Sequence, residues 1–206
     1  MRKLVGQPGV ISVGPLLRRA VEAMAVPNDP YFKHQWHLLN LGQGGGKPGI
    51  DAQVVDAWDQ FQGDGVRICI VDDGLQLSHP DLMENVDPLV GGSDLHWDWI
   101  DNDGDPTPVA AAGDFHGTSV GGVAAARGNN GIGVSGVAPR ATLIGFRFLQ
   151  SGRDITYSEM AELSTRGNTF IEVKNNSWGP AAGPWVLGDS NPVLKDAMKN
   201  AAETGR

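Results

Sequence analysis

Val66-Arg67-Ile68-Cys69-Ile70-Val71-Asp72-Asp73-Gly74-Leu75-Gln76-Leu77-Ser78-His79-Pro80-Asp81-Leu82 is the stretch whose reading decides the fold. Residues 66–71 are mostly β-branched and apolar almost throughout. That pattern suits a central strand of a parallel sheet covered on both faces. The strand stops abruptly at two carboxylates and a glycine. Open α/β sheets build their sites at the carboxyl ends of such strands. Asp-Gly is also ordinary turn chemistry, so Asp72 alone does not separate a site from a turn.

The next informative stretch is Asp114-Phe115-His116-Gly117-Thr118-Ser119-Val120-Gly121-Gly122-Val123-Ala124-Ala125-Ala126. It places a histidine at the mouth of a helix built from small residues. Glycine and alanine let such a helix pack closely on a sheet. Together with the strand-end Asp72, this pattern resembles the subtilase family of serine proteases, whose triad runs in the chain order Asp, His, Ser. The doubled acid in Val71-Asp72-Asp73-Gly74 and the later Ser177-Trp178-Gly179-Pro180 are similar to the kexin-like, proprotein-convertase branch. The resemblance implies an α/β fold, a three-layer α/β/α sandwich with a mainly parallel sheet, incomplete at the C-terminus. It makes Asp72 the orienting acid and His116 the general base. It makes Ser177, Trp178, Gly179 and Pro180 an exposed edge on which the substrate backbone pairs. It also sets Asp73 where a basic substrate residue docks.

Composition narrows the partners. The 206 residues carry 16 Lys and Arg against 24 Asp and Glu, a formal charge of −8. Nucleic acid needs a basic surface, so it is not expected as a partner. The single cysteine, Cys69, lies inside the central strand and reads as a small buried apolar residue. A disulfide framework is therefore excluded, which does not exclude secretion. No apolar run reaches the length of a membrane span. Residues 1–28 do not read as a signal peptide, because Gly6, Pro8 and Gly9 interrupt any apolar core.

In chain order, the resemblance divides residues 1–28, a propeptide remnant or N-terminal extension, from residues 29–206, the N-terminal portion of a peptidase domain. A propeptide of this kind acts as an intramolecular inhibitor, and the family is secreted or held at the cell surface. Tyr31, Phe32 and Trp36 read as anchors of a surface strip. Residues 50–61 read as an amphipathic helix, with Asp51 as N-cap and Val54, Val55, Trp58 and Phe61 at helical spacing. His79 belongs to a turn. Strands are expected at residues 95–100, 141–149 and 170–175, and helices at residues 156–166 and 192–204.

Two cation sites are expected. Asp98, Asp101, Asp103 and Asp105 punctuate a loop around Gly104, as hard oxygen ligands do in calcium loops. The resemblance selects Asp98, Asp103 and Asp105; a solvated acidic loop is the alternative. The loop Gly128-Asn129-Asn130-Gly131-Ile132-Gly133-Val134 resembles the family's tightly held Ca2+ loop. Carried over, its ligands are the Asn130 side chain, the carbonyls of Arg127, Ile132 and Val134, and the carboxylates of Asp29 and Asp81.

No serine after His116 stands in a matching nucleophile motif. Ser119 lies in Gly117-Thr118-Ser119, but on the base's own helix. The nucleophile and the oxyanion Asn are thus expected beyond Arg206, so that this stretch alone is inactive. The implied function is a serine endopeptidase of the subtilisin/kexin type acting on peptide or protein substrates. Ala181 and Ala182 stand where convertases carry acids, which argues against a strict dibasic preference. The alternatives are a catalytically dead, calcium-binding module and a nucleotide-binding α/β domain. The second lacks both Gly-x-Gly-x-x-Gly after a strand and a P-loop lysine.

Overall fold

The structure is a computed structural model that describes residues 26–86, 95–179 and 191–205. Most of the 1–28 extension, Pro180, Ala181 and Ala182 lie outside the described residues. Four strands, β1 (Arg67–Asp72), β2 (Trp97–Asp98), β3 (Thr142–Arg147) and β4 (Val173–Asn176), form one sheet in the order β2-β3-β1-β4. All the pairings are parallel, and β1 is flanked by β3 with Asp72 opposite Arg147 and by β4 with Val71 opposite Asn176.

The reason β1 is apolar on both faces is now visible. Cys69 and Val71 face a cluster with Ile144, Phe146, Phe148, Leu163 and Ile171. Ile70 faces the other way, into Leu75, Leu82, Ala125, Ala126 and Leu143. Cys69, Ile70 and Val71 have no solvent exposure at all. Burial also pushes the Cys69 thiol well up from its ordinary value, so it stays a neutral packing group. Helix α2 (His116–Ala125) covers the Ile70 face; α3 (Tyr157–Thr165) covers the other through Leu163 and Met160. α4 (Pro192–Thr204) packs on α3. This is the expected three-layer α/β sandwich. Thr156 and Glu159 close a reciprocal capping box at the start of α3, and the Asn191 side chain caps α4. Among the described residues no helix is long and apolar enough to cross a membrane.

The helix expected over residues 50–61 is reduced to one turn, α1 (Val54–Ala57). Asp51 does not cap it. Its carboxylate accepts instead from the Asn40 and Gln53 backbone N–H groups, at 2.8 and 2.9 Å, and Gln53 adopts a left-handed conformation, φ 56°. Phe61 is left exposed, whereas Val55 and Trp58 are buried with Phe32 and Leu38. Of the expected surface anchors only Phe32 is buried; Tyr31 and Trp36 are exposed.

Candidate active site

The buried end of β1 carries the acid. Asp72 is 1% exposed, and its Oδ1 accepts from the Asp73 backbone N–H and meets His116 Nδ1, both at 2.8 Å. An ionised carboxylate only accepts, so Nδ1 carries the proton and Nε2 keeps its lone pair free. The imidazole side chain is 58% exposed, open to a reactant. The hydrogen bond that the ring donates to Asp72 and then the charge of Asp72 hold the imidazole above its ordinary value of 6.5. Desolvation opposes this and the charge of Asp73 adds to it. Because the folded state favours the protonated ring, this group's contribution to stability is full below 6.5 and is lost as pH rises through the raised value.

α2 reaches β1 this closely because Gly117 has no side chain. A Cβ there would sit on the Gly74 carbonyl oxygen and 2.7 Å from Asp72 Cβ. Both oxygens of Asp73 are engaged by α2. Its Oδ2 accepts from the His116 N–H at 3.0 Å and its Oδ1 from the Gly117 N–H at 2.7 Å.

Beyond β4, Ser177 and Gly179 are exposed and Trp178 is partly buried. The Trp178 indole donates to the Val71 carbonyl at 3.0 Å and packs on Phe148. The ring thus anchors the segment to the residue before Asp72 while its neighbours stay at the surface. Between α2 and β4 lies an apolar cavity of about 580 Å³, lined by His116, Ser119, Val123, Val173, Asn175 and Ser177 among others. His79 takes the turn role, its Nδ1 accepting from the Asp81 N–H at 3.2 Å.

The two expected cation sites fare differently. Asp98, Asp103 and Asp105 are not gathered as ligands. The Asp98 carboxylate accepts from Arg147 Nη1 at 2.8 Å and from the N–H groups of Ile100 and Asp101. Asp103 accepts from the Asp105 N–H, and Asp105 from Thr107. Arg147, 2% exposed, supplies a positive charge to this loop: it pairs with Asp98 and Asp101 and lies 3.9 Å from Asp114. The signal for this was in the sequence: an arginine in the apolar run Phe146-Arg147-Phe148 must find acids when buried.

The second loop does converge. Asp29 and Asp81, each 4% exposed, both hold the 129–134 segment. Asp29 accepts from the N–H groups of Asn129, Asn130 and Gly131. Asp81 accepts from the Val134 N–H and the Asn130 amide, and Arg127 N–H donates to the Asp81 carbonyl. A Cβ on Gly133 would collide with the Asp81 carboxylate. Neither acid has an ion-pair partner among the described residues, whereas Arg127 pairs with Glu84. Two buried carboxylates with no cationic partner among the described residues, holding a loop whose Asn130 side chain and main-chain carbonyls can supply further oxygens, are a donor set that fits a hard divalent cation.

Comparison with known proteins gives one consistent picture. A family model described as the Subtilase family matches residues 63–205. A PC3-like endoprotease, variant B, of Hydra vulgaris is 40% identical over 188 residues, covering 90% of this chain and 26% of its own. Neuroendocrine convertase 2 of Homo sapiens is 34% identical over 182 residues, 87% of this chain and 28% of its own. The chain thus spans about a quarter of these relatives. Among solved structures, the serine protease of Aeromonas sobria in complex with its chaperone superposes with a TM-score of 0.69 at 31% identity, over 86% of this chain and 30% of that one.

Proposed function

The chain belongs to the subtilase family, with kexin- and convertase-like relatives, and from that premise we propose that it supplies the acid and the base of a serine endopeptidase. The observation that carries the reading is the 2.8 Å contact between buried Asp72 and exposed His116. A serine from beyond residue 206 attacks the scissile carbonyl, forming the acyl C–O bond, while His116 Nε2 takes its proton. The imidazolium then protonates the leaving amine as the C–N bond breaks. Asp72 fixes the tautomer and stabilises the cation throughout. A binding module without catalysis has no use for a buried acid held against an open imidazole. The substrate is a peptide or protein whose backbone lies along the segment that begins at Ser177, Trp178 and Gly179. Residues 29–206 then form the N-terminal portion of the peptidase domain, and residues 1–28 the remnant of an inhibitory propeptide in a secreted or cell-surface protein. Asp73 accepts from α2 through both oxygens and keeps a lone pair on each, so a mild rather than a strict preference for Lys or Arg is expected there.

Labelling with a fluorophosphonate tests the reading. The full-length protein should label at a serine outside residues 1–206, and His116→Ala should abolish labelling. Labelling of the 206-residue chain by itself, or undiminished labelling of the His116→Ala protein, counts against it.

We place Ca2+ in the 127–134 loop, held by Asp29, Asp81, Asn130 and the carbonyls of Arg127, Ile132 and Val134. Asn130 now turns its amide nitrogen to Asp81, so it is the ligand that must rotate to present oxygen. The ion's contribution is electrostatic: it neutralises two buried carboxylates and fixes a glycine-rich loop. At a Ca2+ concentration a hundredfold above Kd, the folded chain should gain about 3 kcal/mol. Thermal unfolding in Ca2+ against EGTA reads this directly, and Asp81→Asn should remove most of the difference. An identical melting temperature in both buffers would eliminate the site.

A further inference from the structure

Helix α2 begins without a cap of its own. The residue ahead of it is Phe115, whose side chain accepts no hydrogen bond. The first N–H groups of a helix need acceptors, and the positive end of its dipole favours an anion. Both needs are met from a residue 43 positions earlier. Asp73 reaches across from the end of β1 with one oxygen on each of the N–H groups of His116 and Gly117, at 3.0 and 2.7 Å. Its own N–H donates to Asp72 Oδ1, the same oxygen that meets the imidazole. The doubled acid is therefore one clamp: Asp72 holds the ring and Asp73 holds the backbone from which the ring hangs.

We propose that Asp73 is a positioning residue for His116, serving as the N-cap of α2 supplied from the sheet and so fixing the base against Asp72. Its importance for catalysis rests on the reading of His116 as the base, but the capping itself does not. The charged groups facing this helix end are Asp72 and Asp73 from the end of β1. Asp114, on the approach to α2, faces Arg147 of β3 instead. The charge of Asp73 also adds to the raised proton affinity of the ring. A residue that served only to contact substrate would leave the amides of His116 and Gly117 indifferent to its removal.

The test uses NMR on the 206-residue chain with no substrate, so its outcome is separate from that of the labelling experiment. In Asp73→Ala, amide hydrogen exchange at His116 and Gly117 should rise about tenfold, as expected for a lost cap, while amides in the middle of α2 change far less. The imidazole midpoint of His116 should fall. Asp73→Asn keeps the size and one accepting oxygen, so it should speed exchange at one of the two amides and still lower the midpoint. Should the Ala variant fail to fold, the Asn variant decides. Exchange at both amides within about twofold of the unsubstituted chain, in whichever variant folds, overturns the proposal.

Discussion

Asp72→Asn is expected to lower kcat of the full-length enzyme by roughly 10⁴-fold while leaving the fold in place. The reason lies in what the replacement amide can do. Its NH2 donates where the carboxylate accepted, so the imidazole is pressed to accept at Nδ1 and to carry its proton on Nε2. A ring in that tautomer has no lone pair for the serine hydroxyl. The same change removes the first two causes of the raised imidazole value, so the midpoint of the ring should move down towards or below 6.5. In the unsubstituted enzyme the base must be neutral, so activity should climb with pH through the raised midpoint. In the Asn variant that limb should lie at lower pH, on a residual rate. Initial-rate profiles against pH measure both effects. A variant within tenfold of the parent rate would remove Asp72 from the mechanism.

The second large effect is expected from Gly117→Ala. The added Cβ would overlap the Gly74 carbonyl oxygen and lie 2.7 Å from Asp72 Cβ. Neither obstacle is the tip of a flexible side chain; one is backbone and the other is fixed at a buried strand end. The helix must slide away from β1, and His116 moves with it. Overpacking of this kind costs about 1–3 kcal/mol, or about 2–4 °C of melting temperature per kcal/mol for a chain of this size. The catalytic loss should be larger in proportion, because displacements of about 1 Å at a reacting group cost on the order of 10²-fold. Gly122→Ala is the internal control: a Cβ there meets nothing within 4 Å. It should be neutral or stabilise by about 0.5–1 kcal/mol, as alanine for glycine does within a helix. If both variants melt and turn over like the parent, close approach of α2 to β1 is not what positions the base.

These two variants also show what could be read from sequence and what could not. β1 and α2 were legible because their physics is local. A strand buried on both faces is apolar almost throughout, and a helix pressed on a sheet is short of side chains. The meeting of Asp72 with His116 followed from the family resemblance and holds in the structure at 2.8 Å. The helix over residues 50–61 failed because Asp51 was claimed by Asn40, a tertiary partner that no local capping rule sees. The contact of Asp73 with α2 was missed for a similar reason. A cap normally comes from the residue next to the helix, and here that residue is Phe115. The acids of the 98–105 loop were visible as a cluster, but the pairing of Asp98 and Asp101 with Arg147 was not, because that arginine comes from another element.

The order of the strands also bears on how the protein comes to be made. β1 lies inside the sheet, yet its partners β3 and β4 begin only at Thr142 and Val173. At ordinary synthesis rates, a ribosome takes on the order of ten seconds to travel from the first of these strands to the last. Until β3 is made both edges of Ile68 to Val71 lack their partners, and the β4 edge lacks its own until the end of that interval, which leaves a sticky ribbon suited to zip onto another nascent copy. Shelter of this ribbon during translation should therefore raise the yield of folded protein.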